Sequence, residues 1–411
     1  METVEDVVIV GAGIAGLTTS LGLHRMGLRS LVLESSDSLR TTGFALTTWA
    51  NAWKALHVIG IADSLRQEHV LLQGVKGTST ISGLTTSEIL FKDIKKFGDV
   101  EVRCVRRNLL IEALEKELPP GTIRFSSKVV AIEEAGYLKV LHLADGSVLK
   151  TKVLIGCDGV NSVVAKWLGL QKPAFTGRFS TRGYATFSSG HGLEPKFLMF
   201  FGHGVRSGFI PCDEKTAYWF ITWTPSTEQN GMEENPAKLK QFILSKLDNA
   251  PKEVVSVVEN TELESIITSP LRLRWPWNVL WGDIFRGNVC VAGDALHPMT
   301  PDIGQGGCSA LEDGIVLAKC LAQALLMEPK REAKGIDEKE EYNRIKNALE
   351  KFAKERRWRS FQLISTAFVV GLIQQSNGKL MGFLRDKLLS SFMTRLMLER
   401  ANYDCGGLKS T

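Results

Sequence analysis

The sequence has few cysteines, and no two of them form a closely spaced pair. Its 411 residues contain seven cysteines, scattered from Cys104 to Cys405 without a C-x-x-C motif. An odd, dispersed set argues against a disulfide framework and against a zinc site, and it is typical of a reducing compartment. Several of these cysteines lie in apolar stretches, where a thiol serves as a small hydrophobic group.

Long apolar runs and a leader segment are also missing. No stretch approaches the roughly 20 residues that a membrane-spanning helix needs, and the short run at 365–373 indicates a packed helix. The first apolar strand begins by about Asp6, which leaves no room for a signal or transit peptide. We therefore expect a cytoplasmic protein without membrane contact; a transit peptide removed ahead of this sequence is the alternative that stays open.

Positive charge exceeds negative charge only slightly. The net charge is +5, with 44% apolar and 23% charged residues, which is an ordinary composition for a soluble globular protein. Basic residues do not alternate with aromatic ones, so the sequence does not predict nucleic-acid binding. No internal repeat is present, and a chain of 411 residues predicts two or three structural units. The oligomeric state stays open.

The N-terminal segment combines an apolar strand, a glycine-rich turn and a helix. Val7–Val10 precede Gly11, Gly13 and Gly16, and a helix is predicted over Ile14–Met26. The first glycine permits a tight turn, the second lets the backbone approach a phosphate, and the third lets the helix pack close to the strand. Free N–H groups at the helix start, including those of Ile14 and Ala15, would face a pyrophosphate.

A carboxylate follows at the spacing that a dinucleotide site requires. Glu34 comes 23 residues after Gly11, at the end of a second predicted strand, Ser30–Leu33. There it can accept hydrogen bonds from both ribose hydroxyls of an adenosine. The alternative is a glycine-rich turn with a solvated glutamate, but the strand, the helix and the spaced acid together predict a nucleotide site.

Two later apolar strands also end in short acidic turns. The run 153–156 leads to Asp158-Gly159, which by itself would be an ordinary strand-to-turn junction. Val289–Ala292 lead to Gly293-Asp294, and the Asp294 carboxylate can accept hydrogen bonds from a ribityl chain. A dinucleotide bound by both ends of a long chain favours FAD over a loosely bound NAD.

The loop after Asp294 has features that suit a flavin ring. Pro298 and Pro301 stiffen it, and the amides near Gly304, Gly306 and Gly307 can stabilise negative charge on a reduced flavin. His297 lies in this loop, where it can either hold the loop by hydrogen bonds or contact the reacting groups. The alternative is a proline-rich turn that caps a helix.

The remaining elements are predicted from apolar periodicity. Helices are predicted over 41–67, beginning at Thr41-Thr42-Gly43, over Arg107–Leu118, over 235–258, from about Gly306 to Met327, and from Lys339 to the end. Strands are predicted at Thr122–Ser126, Lys128–Glu133, Leu138–Leu143, Val148–Ile155, Tyr184–Ser188, Lys196–Gly202, Gly208–Pro211 and Ala217–Thr224. The charged stretch 328–339 is predicted to be a linker.

Several large apolar side chains lie in the strands between about 176 and 275. They could line a substrate pocket, although alternation along a strand sends half of them to the other face, and a plain sheet core is the default. They are Phe197, Met199, Phe201, Phe209, Phe220 and Trp223.

The ordered motifs resemble the class A FAD-dependent aromatic hydroxylases, the superfamily of para-hydroxybenzoate and salicylate hydroxylases. The set is the glycine loop with Glu34, then Arg107, Asp158-Gly159 and Gly293-Asp294, and the resemblance covers most of residues 4–325. Three further stretches are similar to the plant monooxygenase branch related to zeaxanthin epoxidase: Thr42–Leu46, Gly304–Asp313 and Asn402–Gly407.

The resemblance implies a fold and its segments. It implies an α/β protein with a Rossmann-like FAD-binding domain, an inserted, mostly antiparallel substrate sheet, and a C-terminal helical segment. The FAD-binding parts are expected at 1–77, 100–175 and 276–338, the substrate parts at 78–99 and 176–275, and the helical region at 339–411.

The resemblance also implies roles for single residues. The three glycines would hold the pyrophosphate and Glu34 the adenosine ribose. Arg107 would meet the cofactor, with Arg103 a weaker candidate, although an arginine at a helix start is often only solvated. Asp158 belongs to the motif shared between FAD and NAD(P)H, and Asp294 would hold the ribityl chain.

Two positions depart from the family pattern. Val163, Val164 and Ala165 follow Ser162 where the family has an arginine, and Lys166 is an imperfect substitute for the contact with NAD(P)H. Cys308 replaces a common asparagine; it is either a thiol near the flavin or, by default, a small helix-packing residue.

The implied chemistry is carried by the flavin, so no catalytic side chain and no metal are expected. NADPH or NADH would reduce FAD, and O₂ would give a flavin hydroperoxide that hydroxylates or epoxidises a small aromatic or other electron-rich apolar substrate. No second glycine motif follows a strand, so the nicotinamide is expected to lack a domain of its own. The alternatives are a flavin dehydrogenase or reductase and, last, a non-catalytic protein of this fold.

Overall fold

A computed structural model describes residues 4–39, 44–94, 100–202, 204–226, 231–247, 249–326, 338–375 and 390–408. The strands are β1 Val4–Val10, β2 Leu31–Leu33, β3 Ala45–Thr48, β4 Gly74–Ser79, β5 Thr85–Leu90, β6 Arg103–Arg106, β7 Ile123–Arg124, β8 Val129–Ala135, β9 Leu138–Leu143, β10 Val148–Gly156, β11 Ala174–Thr186, β12 Phe197–Gly202, β13 Val205–Pro211, β14 Thr216–Trp223, β15 Ile267–Leu273, β16 Phe285–Arg286 and β17 Val289–Val291. The α-helices are α1 Ile14–Arg25, α2 Ala50–Ile59, α3 Ala62–Glu68, α4 Arg107–Lys116, α5 Val163–Trp167, α6 Pro236–Leu244, α7 Lys252–Glu259, α8 Pro276–Trp281, α9 Gly306–Leu325, α10 Glu338–Gln375 and α11 Ser390–Ala401.

The first sheet brings the predicted motifs to one edge. Its strand order is β16-β17-β10-β1-β2-β7, with β9 and β8 continuing from β10. Strands β17, β10, β1 and β2 run parallel, so their carboxyl ends lie together. The turns that follow these ends carry the glycine loop, Glu34, Asp158 and Asp294. Ligands of open α/β sheets bind at this edge.

The first and ninth helices pack tightly on this sheet because small residues line their contact. A Cβ on Gly314 would lie 2.6 Å from the Thr18 side chain, and one on Gly22 would lie 2.7 Å from Ala318. Thus α9, which begins in the predicted flavin loop, lies directly against α1, which begins in the predicted pyrophosphate loop.

The second sheet separates two apolar layers. Its order is β15-β11-β14-β13-β12-β4-β5, and every pair is antiparallel except β12 with β4. One face packs on α6 and α7, and the other joins the core of the first sheet. The inserted antiparallel sheet is therefore confirmed. The predicted domain limits stay a prediction; β4 and β11 begin at Gly74 and Ala174.

Three predicted helices needed correction. The predicted helix 235–258 is two helices, α6 and α7, and Pro251 stands at the N-cap of the second. Residues 45–48 lie within the predicted helix 41–67 but form a strand, β3, because they pair with β6 and Thr48 Oγ1 donates to Arg103 O. Thr41, Thr42 and Gly43 lie outside the described residues, as does nearly all of the predicted linker. The helix predicted to reach the chain end stops at Ala401; residues 402–408 follow without helix, and Lys319 Nζ donates to Cys405 O.

In the part of the chain that the structure describes, no helix combines the length and apolar character required to cross a bilayer.

Candidate functional site

The glycine loop has one open side. Gly11 has φ +103°, and a Cβ there would lie 2.5 Å from Cys157 O; a Cβ on Gly16 would collide with Gly11 O. Gly13 is different, because its backbone is extended (φ −83°) and no atom lies within 4 Å of a Cβ placed on it. The N–H groups of Ile14 and Ala15 begin α1 beside this space. The loop therefore has room and donors for a pyrophosphate.

Glu34 lies against that loop as an ionised carboxylate. Its Oε2 accepts from Ala12 N and its Oε1 from Ser36 N, each at 2.9 Å. Burial acts to raise the pKa of Glu34, but the backbone hydrogen bonds from Ser36 and Ala12 outweigh it and lower the pKa. A carboxylate that stays charged suits the predicted ribose contact.

Asp158 and Asp294 lie in turns that pack against each other. Asp158 Oδ2 accepts from Val163 N at 2.7 Å, while its Oδ1 is buried and has no partner among the described residues. Burial raises the pKa of Asp158. The orphaned oxygen is a polar group that a bound cofactor could satisfy.

Asp294 is exposed beside the start of α1. Gly293, at φ +59°, lies so near this helix that a Cβ on it would be 2.8 Å from the Ala15 Cβ. No hydrogen bond to the Asp294 carboxylate is present within the described residues. The first and last motifs thus meet, and Asp294 remains available to a ligand.

The predicted flavin loop ends at an open helix start. Gly304 has φ +61°, and a Cβ on Gly307 would lie 2.5 Å from Leu46 Cδ1. A Cβ on Gly306, the first residue of α9, would meet nothing within 4 Å. The amides there have the open space that the predicted contact with a flavin requires.

The two arginine candidates have different surroundings. Arg107 begins α4, is half-buried, and its backbone N–H donates to Phe44 O at 2.9 Å. Arg103 instead lies 5.5 Å from the Trp53 ring centre, and its guanidinium donates to Glu101 and His69 O. These partners occupy Arg103, whereas Arg107 keeps the position at the start of α4 that the motif order gives it.

The structure also shows the surroundings of the residues that depart from the family pattern. Ser162 caps α5 by accepting from Ala165 N at 2.8 Å, and Lys166 is exposed on the same helix. The Cys308 thiol is buried, 3.6 Å from Thr47 O and Gly304 O, and burial raises its pKa to about 12. It therefore acts as a packing group next to the flavin loop rather than as a thiolate.

The sequence identified one residue that holds the flavin loop, His297, but missed another, Arg274. His297 is buried, with Nε2 2.7 Å from Asp313 Oδ2, in agreement with its predicted structural role. Arg274 is buried and donates to the carbonyls of Ala295 and Leu296 at 3.0 and 3.1 Å. The sequence signal for Arg274 was its position between apolar residues in a tryptophan-rich stretch. That signal does not identify its partners, which are 21 and 22 residues away.

The face of the second sheet that meets the first sheet carries four of the six predicted pocket residues. Phe197, Met199, Phe201 and Phe220 lie in the core shared with the first sheet. Phe209 and Trp223 point to the opposite face and pack with the α6 and α7 layer. The alternation of side chains along a strand explains the division.

A buried ion cluster lies between this face and the flavin loop. Asp302, two residues before Gly304, is within 2.9 Å of Arg178 Nη2 and 3.2 Å of Arg206 Nη1. Burial lowers the pKa of Arg206, although the Asp302 charge opposes this effect. Gly371 of α10 packs so closely that a Cβ there would lie 2.8 Å from Arg178 Nη1.

The fold and the site define a flavoprotein with a dinucleotide bound at a parallel sheet edge and a substrate sheet above it. The model of the FAD binding domain family matches residues 5–333, and the chain belongs to this family. Monooxygenase 2 and Monooxygenase 1 of Arabidopsis thaliana are 54% and 36% identical, over 98% of this chain and 98% and 99% of theirs.

A solved structure has the same fold. The crystal structure of Klebsiella pneumoniae HpxO complexed with FAD and uric acid has a TM-score of 0.81 at 22% identity, covering 98% of each chain. Together these comparisons confirm the class predicted by the motifs: the protein is an FAD-dependent monooxygenase.

Proposed function

We propose that the protein uses NAD(P)H and O₂ to hydroxylate or epoxidise a small, electron-rich aromatic or apolar molecule that carries an acidic group. The observation that carries this proposal is the position of an aromatic sheet face and a buried cluster of arginines beside the flavin loop.

The aromatic part of the site adjoins the predicted cofactor groups. The rings of Phe44 and Tyr218 are 6.3 Å apart, and Phe44 O accepts from the backbone of Arg107. Tyr218 is 6.2 Å from Phe220 on the same strand. This apolar wall would bind an aromatic ring and exclude water from the reacting atoms.

The charged part favours an acidic substrate. Arg178 and Arg206 share one carboxylate, Asp302, and the Arg206 Nε atom has no partner among the described residues. The Arg206 guanidinium lies 5.2 Å from the Phe220 ring centre, so positive charge and aromatic surface meet at one place. A carboxylate or phenolate on the substrate would be attracted there.

FAD, when bound, supplies the reduction of O₂ and the transfer of one oxygen atom, which no side chain provides. The chain's own part is to bind FAD through the open glycine loop and the open start of α9. It also holds the substrate within about 3–3.5 Å of the reacting atoms.

The test is a screen of aromatic acids paired with their uncharged amides. We expect the acids, more than the amides, to stimulate NAD(P)H consumption, with oxygen from ¹⁸O₂ appearing in the product. Substrate oxidation without incorporated ¹⁸O would support the dehydrogenase or reductase alternative instead. Equal stimulation by acids and amides would contradict the role given to the arginines.

A further inference from the structure

A buried network joins both cofactor loops to α10, a helix that lies outside the matched family region. Asp313, on α9, is the first member: its Oδ2 accepts from Gly293 N at 2.7 Å and lies 2.7 Å from His297 Nε2. These two residues flank Asp294 in the turn predicted to contact the ribityl chain. The geometry of that turn therefore depends on where the Asp313 carboxylate is held.

A neighbouring carboxylate serves the second loop. Glu312 Oε1 accepts from Asn51 Nδ2 at 2.5 Å, and the same amide group donates to Gln305 Oε1 at 2.8 Å. Gln305 lies between Gly304 and Gly306, at the open start of α9. Adjacent acids on one helix thus reach separate loops of the cofactor site.

Arg356, on α10, bridges the two acids. Its Nε donates to Asp313 Oδ1 at 2.6 Å, and its Nη2 lies 2.7 Å from Glu312 Oε2 and 2.9 Å from Ser309 Oγ. All three charged side chains are fully buried. Two like charges would repel in this poorly solvated site, and the planar guanidinium between them offsets part of that repulsion while pairing with both.

The acids keep their charge in this arrangement. Burial acts to raise the pKa of Asp313, but the His297 and Arg356 charges lower it to about 2. Glu312 is likewise held below its usual pKa, against burial, by Arg356 and Arg359. The family model ends at residue 333, so both arginines lie beyond the matched region.

We propose that Arg356 is a positioning residue of the FAD site, which fixes the Gly293–His297 turn through Asp313 and the Gln305 loop through Glu312. It need not touch the cofactor. In this view α10 completes the flavin site, rather than only covering the sheet.

The test compares holoenzymes of Arg356→Gln, Arg356→Lys and a matched control, Arg357→Gln. Arg357 is the next residue of α10 and also makes three hydrogen bonds, to the carbonyls of Val279, Leu280 and Gly282 at the end of α8. The readouts are the rate of FAD release, followed by flavin fluorescence, the flavin midpoint potential, and the unfolding midpoint.

We expect Arg356→Gln to release FAD at least about tenfold faster, equivalent to about 1.4 kcal/mol, and to shift the midpoint potential. Arg356→Lys should lie between this variant and the native enzyme, because an ammonium group can pair closely with only one acid at a time. Arg357→Gln should release FAD within about twofold of the native rate, even where its unfolding midpoint falls, because its hydrogen bonds go to the end of α8 and not to either cofactor loop.

A double variant tests the route through Asp313. If Arg356 acts partly through this carboxylate, Arg356→Gln should accelerate FAD release by a smaller factor in an Asp313→Asn protein than in the native protein. The remaining factor is the route through Glu312. If the double variant instead releases FAD faster by the product of the two single-variant factors, that route is overturned.

The proposal is overturned if the Arg356 variants release FAD like Arg357→Gln at equal loss of stability. It is also overturned if neither Arg356 variant folds while Arg357→Gln does, because Arg356 would then be required for the fold itself.

Discussion

At the scale of single residues, the glycines of the first loop have separable roles. Gly11 and Gly16 are required by the chain itself, because a Cβ at either would meet backbone atoms. Gly13 has an ordinary extended backbone and open space, so the folded protein alone does not require glycine there. A ligand that approaches the loop does require it.

Gly13→Val should therefore leave the flavin-free protein folded and remove FAD, whereas Gly16→Ala should destabilise the fold. We expect the first variant to keep the unfolding midpoint of the flavin-free native protein and lose at least about tenfold in FAD affinity, since the valine occupies the pyrophosphate space. The second should lose about 1–3 kcal/mol of unfolding free energy through steric overlap. Flavin content and thermal unfolding measure the two effects, and a Gly13→Val protein that keeps its flavin would contradict the assignment.

Asp294 should behave like Gly13. Its carboxylate is exposed, and no hydrogen bond to it is formed within the described residues, so Asp294→Ala costs the fold little. We expect a colourless or weakly flavinated protein whose unfolding midpoint equals that of the flavin-free native protein. Absorbance of the purified variant, together with circular dichroism, checks this. Full retention of FAD would count against the ribityl contact.

At the scale of elements, sequence patterns predicted the strands and helices whose conformation depends on residues adjacent in the chain. The continuous run Val7–Val10 and the glycines after it were sufficient to predict a strand, a turn and a helix start. The strand β3 was missed because it has four residues and its pairing partner begins at Arg103. A short segment takes its conformation from the strand that pairs with it, and sequence periodicity does not contain that information.

Asp313 of helix α9 leads to a prediction about the stability of the protein at low pH. Its Asp313 has a pKa lowered to about 2 by the His297 and Arg356 charges, against burial. A carboxyl group with a depressed folded-state pKa stabilises the protein above its ordinary pKa of 3.8, and this contribution is lost as the pH falls towards 2. The contribution is about 2 kcal/mol, at 1.36 kcal/mol for each unit of pKa shift.

Asp313→Asn should therefore be less stable at neutral pH and should lose less stability between about pH 4 and pH 2 than the native protein does. Unfolding midpoints across this range measure the difference. Asp145→Asn is the comparison, because Asp145 is solvated at a surface turn, where Ser147 donates to it. Parallel acid profiles for native and Asp313→Asn protein would show that the buried pair does not titrate in this way.

At the scale of the whole molecule, the order of motifs could be predicted but their contacts could not. The sequence predicted that Gly11, Asp158 and Asp294 converge, since parallel strands end at one edge. It did not predict that Asn51 would reach Glu312, 261 residues away, or that Asp302 would join the two sheets. Such pairs depend on the three-dimensional packing of elements that are remote in the chain.

The ion cluster between the two sheets leads to the last prediction. Asp302 is fully buried at the flavin loop and pairs with Arg178 of β11 and Arg206 of β13. Asp302→Ala would leave two buried guanidinium groups without this carboxylate, and removal of one partner of a buried ion pair costs about 3–5 kcal/mol. We expect the unfolding midpoint to fall strongly.

Asp63→Ala is the control, because Asp63 also pairs with an arginine, Arg66, at 2.7 Å, but on the surface with 84% of its side chain exposed. Water already solvates that pair, so its loss should change the midpoint little. If Asp302→Ala and Asp63→Ala lowered the unfolding midpoint equally, the Asp302 cluster would not hold the substrate sheet to the flavin loop. A large loss confined to Asp302→Ala would show that this one carboxylate holds the flavin loop to the substrate sheet.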